Sequence, residues 1–174
     1  MGIVSIVRRV SCVVFMLSLV ASTAYAQSPG TRVPVDNKQI VSANPFLLMA
    51  EWANVEYERK ASERFTFGAS VSSVGIDSAD YRNFQGFYRY YPQGASLTGF
   101  YLGARGGMHR VSEANHAAHV FGLGFELGYG WLFGSQRNFA VSLGAGATRL
   151  FGGDLDDASV LIPTLRLVNI GWSF

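Results

Sequence analysis

Residues His119 to Phe133 alternate without a break. Phe121, Leu123, Phe125, Leu127, Tyr129, Trp131 and Phe133 fall on one side, and Gly122, Gly124, Glu126, Gly128 and Gly130 on the other. Period two is a strand signature. In a soluble sheet the bulky side would be core and the other side would meet water. Glycine weakens a strand interior, so it is a poor material for a solvated face. Inside a narrow closed barrel small residues make room. The sidedness then inverts, with bulky residues toward lipid and small or polar ones toward the lumen.

Seven further segments carry the same period. The first is Gln39 to Leu48, interrupted by Pro45. The second is Trp52 to Arg59, with Asn54, Glu56 and Glu58 opposite Ala53, Val55 and Tyr57. Arg64 to Gly75 sets Phe65, Phe67, Ala69 and Val71 against Thr66, Gly68, Ser70 and Ser72. The fourth is Tyr81 to Tyr91, with Gln85 and Arg89 on the polar side, and the fifth is Leu97 to His109, with Gly103 and Arg105 there. Asn138 to Leu150 is the seventh. The eighth is Leu165 to Phe174, where Val168, Ile170, Trp172 and Phe174 oppose Asn169, Gly171 and Ser173. The expected fold is all-β, an eight-stranded antiparallel up-and-down transmembrane barrel. Segments of about 9–11 residues suit a tilted membrane strand.

With both chain ends on the inner side, long outer loops should alternate with short inner turns. The inner turns Lys60 to Glu63, Pro92 to Ser96 and Gly134 to Arg137 are short. The outer connections Arg110 to Ala118 and Phe151 to Pro163 are longer, the second carrying Asp154, Asp156 and Asp157. Ile76 to Asp80 and the first connection do not fit this rule. The inner strand ends collect Tyr57, Phe65, Tyr90, Phe100, Trp131, Phe133, Phe139, Trp172 and Phe174, as an interfacial girdle would.

The chain has 174 residues. Its first 26 read as a signal peptide: Arg8 and Arg9, an apolar run from Val10 to Val20, and Ala24-Tyr25-Ala26 as the cleavage site. The apolar run is short for a membrane span of about 20 residues. Residues 27–38 carry Pro29, Gly30 and Pro34 and read as a periplasmic lead-in, and 39–174 as the barrel. Cleavage removes Cys12, so neither disulfides nor thiol chemistry are expected. It also leaves 14 − 2 = 12 basic against 12 acidic residues. That balance gives no argument for a nucleic-acid partner.

The ending Trp172-Ser173-Phe174 resembles the carboxy-terminal signal of bacterial outer-membrane barrels, read by the barrel-assembly machinery. The whole pattern resembles the small barrels of the OmpA/OmpX/OmpW type. More closely, it is similar to a family of small outer-membrane barrels with no agreed activity. The matching pieces are Asn44-Pro45-Phe46-Leu47-Leu48, Asn54-Val55-Glu56-Tyr57-Glu58, Tyr90-Tyr91-Pro92, Gly99-Phe100-Tyr101-Leu102-Gly103 and Gly122-Leu123-Gly124-Phe125-Glu126-Leu127-Gly128-Tyr129. The resemblance implies the bacterial outer membrane as location, with outer-membrane lipid, lipopolysaccharide and the assembly machinery as partners, and a monomer. A soluble lipocalin-like barrel is the rival fold, and would need the bulky faces turned inward.

Glu56, Arg89, Arg105 and Glu126 would face the lumen, with Glu58 nearer the periplasmic mouth. Opposite charges in a narrow barrel should pair, because an unpaired buried charge is costly. The reading is an internal charge network that plugs the lumen, rather than a polar pore. Eight strands leave an interior just filled by side chains or wide enough for one small ligand. His109, His116 and His119, with Ser112 and Glu113, contain the parts of a hydrolase site, and some lipid A deacylases are small barrels. The His-x-Ser spacing of those enzymes is absent, and exposed loop histidines are the preferred account. No catalytic residue, metal site or cofactor is assigned. The expected role is structural or surface-interactive. The alternatives are a carrier or narrow conduit for a small hydrophobic molecule, and a lipid A-modifying hydrolase.

Overall fold

The computed structural model describes residues 37–48, 52–76, 79–113, 116–151 and 161–174; the signal segment, most of the lead-in and the Asp154, Asp156 and Asp157 cluster lie outside these. The strands are β1 (Gln39–Ala43), β2 (Trp52–Lys60), β3 (Phe65–Ile76), β4 (Ala79–Tyr90), β5 (Gly99–Glu113), β6 (His116–Phe133), β7 (Phe139–Phe151) and β8 (Leu161–Ser173). Each pairs antiparallel with its neighbour, and β1 closes on β8, giving a closed eight-stranded barrel. The Phe174 carbonyl accepts from the Lys38 and Gln39 amides at 2.9 Å, so the last residue ties the seam to the first strand.

The alternation sorts the side chains inside out relative to a soluble domain. Phe67, Val71, Phe84, Leu102, Met108, Leu123, Phe125 and Leu127 stand exposed on the outer wall, Phe125 at 60%. Their strand neighbours Thr66, Ser70, Ser72, Gln85, Arg105 and Glu126 are buried in the lumen. Soluble monomers rarely leave so continuous an apolar surface in water. The register lines up Phe84, Met108, Phe121 and Phe151 across β4 to β7 as one outer row. Phe133 and Phe139 face each other near the inner end, with ring centroids 6.3 Å apart. At about 3.3 Å per residue and a tilt of about 40°, Phe121 to Phe133 spans about 30 Å along the barrel axis. That matches a hydrocarbon core.

Several boundaries differ from the sequence expectation. The first strand stops at Ala43, and Pro45–Leu48 forms a single helical turn, α1. Pro lacks the amide that a paired strand needs. Asn44 turns the chain: its Oδ1 accepts from the Phe46 and Leu47 amides at 3.1 and 3.0 Å, as an N-cap does. Residues Arg110 to Ala118, expected as a loop, belong almost wholly to β5 and β6, which stay paired out to Glu113 and His116. The sheet itself, not a long loop, projects there. Leu97 is not in a strand: the β4–β5 connection runs over residues 91–98.

That connection folds back over the inner mouth. The Tyr91 amide donates to Arg64 O at 2.7 Å and the Ser96 amide to Glu63 O at 2.9 Å. Leu97, at φ 73°, is pushed into a small apolar cluster with Ile40 and Ala140, against Leu132. A branched residue at positive φ is strained, and here burial of its side chain offsets that cost.

The β4 and β5 backbones approach closely at Gly107. A Cβ on Gly107 would stand 2.6 Å from the Gln85 Cα across the β4–β5 pair. Glycine is therefore required there by close backbone approach.

Candidate functional site

The lumen is crossed by a layer of buried charge. Arg89 is 1% exposed and reaches three carboxylates. Its Nη1 lies 2.9 Å from Glu56 Oε1 and also pairs with Glu58, while its Nε donates to Glu126 Oε1 at 2.6 Å. Glu126 also meets Arg105 Nη2 at 3.5 Å. Glu56 pairs in addition with Arg166. The structure thus brings Glu56, Arg89, Arg105 and Glu126 together, and adds Glu58 and Arg166.

Neutral groups complete the layer. The Thr66 and Tyr91 hydroxyls donate to Glu58 Oε1 at 2.6 and 2.7 Å. Arg166 Nη1 donates to the Tyr101 hydroxyl at 3.1 Å. With the Asn169 amide turned so that its oxygen faces Arg166, that oxygen accepts from Nε at 3.0 Å and Nη2 at 3.2 Å. The Arg89 guanidinium lies 4.0 Å from the Phe87 ring centroid and 4.7 Å from that of Tyr101. Burial, then the Glu58 carboxylate, raises the Tyr91 phenol well above its ordinary value, so this turn residue remains a donor.

Three carboxylates face three guanidiniums in this layer. The balance matters, since a buried charge without a partner costs several kcal/mol, of order 3–5 when a pair is broken. Glu58 borders the inner-side space with Tyr91 and Leu97 and is tied to the layer by Arg89. Arg166 was not expected to face inward at all. By simple alternation it belongs with Val168 and Trp172 on the outer face. Between Ser142↔Asn169 and Gly144↔Arg166, β7 advances two residues while β8 advances three. This β-bulge turns Arg166 into the lumen, beside Asn169. An arginine on an otherwise lipid-facing parity was the one available signal.

The layer separates two small spaces. On the inner side a cavity of about 20 Å³ is bordered by Glu58, Arg89, Tyr91, Leu97 and Tyr101. A second, of about 100 Å³, is bordered by Glu56, Arg105, His109, Asn44, Trp52 and Thr148 among others.

The histidines are not a loop cluster. His109 is 2% exposed inside the barrel, where it pairs with the Tyr81 hydroxyl and lies 3.3 Å from Gln85 Nε2. The expectation of an exposed loop histidine is corrected for His109, because β5 continues past it and its parity is lumenal. His119 is exposed on β6. Ser112 is three residues from His109 on the same strand, so alternation places the two on opposite faces. His109 and Ser112 are therefore not brought together. Trp172 and Phe174 are exposed on the outer wall, at 57% and 53%.

No family model matches the chain, and no curated protein sequence matches it. Among solved structures the fold is similar to the N-terminal β-barrel domain of Pseudomonas aeruginosa OprF, at 13% identity and TM-score 0.47, over 79% of this chain and 98% of that one. It is also similar to the Yersinia pestis outer membrane protein Ail in a phospholipid bilayer nanodisc, at 11% identity and TM-score 0.47, over 80% and 100%.

Proposed function

We propose that the protein is a bacterial outer-membrane barrel without enzymatic activity, whose lumen is closed by its own charges and whose task is structural or surface-interactive. The observation that carries this is the charge layer: Arg89, 1% exposed, binds carboxylates from β2 and β6 and so bridges the barrel interior. Opening a path through it would strand at least one ion without a partner. The β4–β5 connection supports the same reading, since Tyr91 and Leu97 occupy the inner mouth. The apolar outer wall and its span of about 30 Å support a membrane setting.

The alternative of a carrier for a small hydrophobic molecule gains less support. The larger cavity is bordered by the buried ions Glu56, Arg105 and Arg166 beside Asn54, Ser70 and Asn83, and an apolar guest would leave these groups unsolvated. The purified barrel, reconstituted into planar bilayers, tests the proposal. It predicts no large, stable, solute-permeable steps. Such steps in the wild-type protein would overturn the plug.

A further inference from the structure

Two guanidiniums of the charge layer keep a buried N–H without a partner among the described residues, Arg89 Nη2 and Arg105 Nε, and of the two only Arg105 borders the larger cavity. Arg89 has three carboxylates, and Arg166 has Glu56, the Tyr101 hydroxyl and Asn169. Arg105 has only Glu126, at 3.5 Å, and shares it with Arg89. Arg105 is 9% exposed, and its Nε is buried with no partner among the described residues. An unmet donor on a buried cation is expensive.

Arg105 borders the cavity of about 100 Å³, and it is not alone in lacking a partner there. Asn44 Nδ2 and Trp52 Nε1, from residues bordering the same space, are also buried N–H donors without acceptors. Gln85 Oε1 is the one unmet acceptor among these lining side chains. Unmet donors outnumber unmet acceptors, and one of them belongs to a cation. The volume corresponds to roughly three waters at about 30 Å³ each. A carboxylate or a phosphate group has that scale, and both suit the planar fork of an arginine.

We infer that the larger lumenal cavity is a binding site for a small oxyanion, a carboxylate or a phosphate, held by Arg105 with Asn44 and Trp52 as neutral donors. Direct charge pairing goes to Arg105. Asn44 and Trp52 approach from the β1–β2 side of the same space.

The test uses the folded barrel in detergent micelles, titrated with sodium acetate and separately with sodium phosphate at constant ionic strength. Calorimetry and tryptophan fluorescence follow binding. Saturable binding of at least one anion is expected, weakened at least tenfold in Arg105→Gln. Acetate alone would assign a carboxylate, and phosphate alone a phosphate. Asn44→Asp is the second variant. It keeps the oxygen that caps α1 and replaces the donor with a negative charge, so binding should be lost while the heat-dependent gel shift of the folded barrel remains. Arg110→Gln, exposed on the outer face of β5, should bind as wild type. Dilution heats alone with both anions would mean the cavity holds only water and would overturn the inference. So would equal affinity in wild type and Asn44→Asp, which decides the matter even where Arg105→Gln does not fold.

Discussion

At the scale of single residues, Arg89 is the position on which the interior depends. It is the shared partner of Glu56, Glu58 and Glu126. Arg89→Leu would leave those carboxylates with only Arg105 and Arg166. The expected loss is about 3–5 kcal/mol of folding stability, read from the urea midpoint of the refolded barrel in detergent. Glu58→Gln should cost less, because the amide oxygen can still accept from Thr66 and Tyr91, which hold Glu58 Oε1 now. Equal costs for the two variants would mean that Arg89 is not the hub. Gly107→Ala tests the close approach of β4 and β5. With the Gln85 Cα 2.6 Å from the new Cβ, the backbone must move, and overpacking of this kind costs about 1–3 kcal/mol.

At the scale of elements, the β4–β5 connection and the last strand carry separate expectations. Leu97 holds the inner mouth from a strained backbone with its side chain 2% exposed. Leu97→Ala should cost about 2–5 kcal/mol in the same urea measurement, since a buried leucine is truncated and the strain remains. Phe174 contributes its carbonyl to the seam while its ring lies on the outer wall. Phe174→Ala keeps the backbone bonds. It should reduce assembly into membranes by the barrel-assembly machinery, while the folded barrel changes by less than about 1 kcal/mol. Strand existence was legible because alternation survives in every segment: Phe121 to Phe133 or Phe65 to Val71 can face only one way once the barrel closes. Three local features broke that regularity. Pro45 ended β1 early and made α1. The bulge opposite Ser142 and Gly144 reversed the facing of Arg166. Leu97 left its strand to fill the mouth. Each depends on contacts between distant segments, to which a period-two pattern is blind. The same holds for His109, whose strand continues because β6 stays paired with it to Glu113.

At the scale of the whole molecule, apolar faces look out to lipid and charged faces look in. Five of the six charged side chains in the layer were readable from parity alone: Glu56, Glu58, Arg89, Arg105 and Glu126. Arg166 required the bulge. The exposed wall of Phe67, Phe84, Leu102, Leu123 and Phe125 would make the protein insoluble outside a membrane. The most direct test is fractionation of cells expressing the full chain, followed by gel electrophoresis with and without boiling. Recovery in the outer-membrane fraction is expected, with a band whose mobility changes on heating, because a closed barrel resists detergent until it is unfolded. Recovery as a soluble periplasmic protein with identical mobility in both lanes would contradict it, and would turn every face assigned to lipid into the interior of a soluble fold.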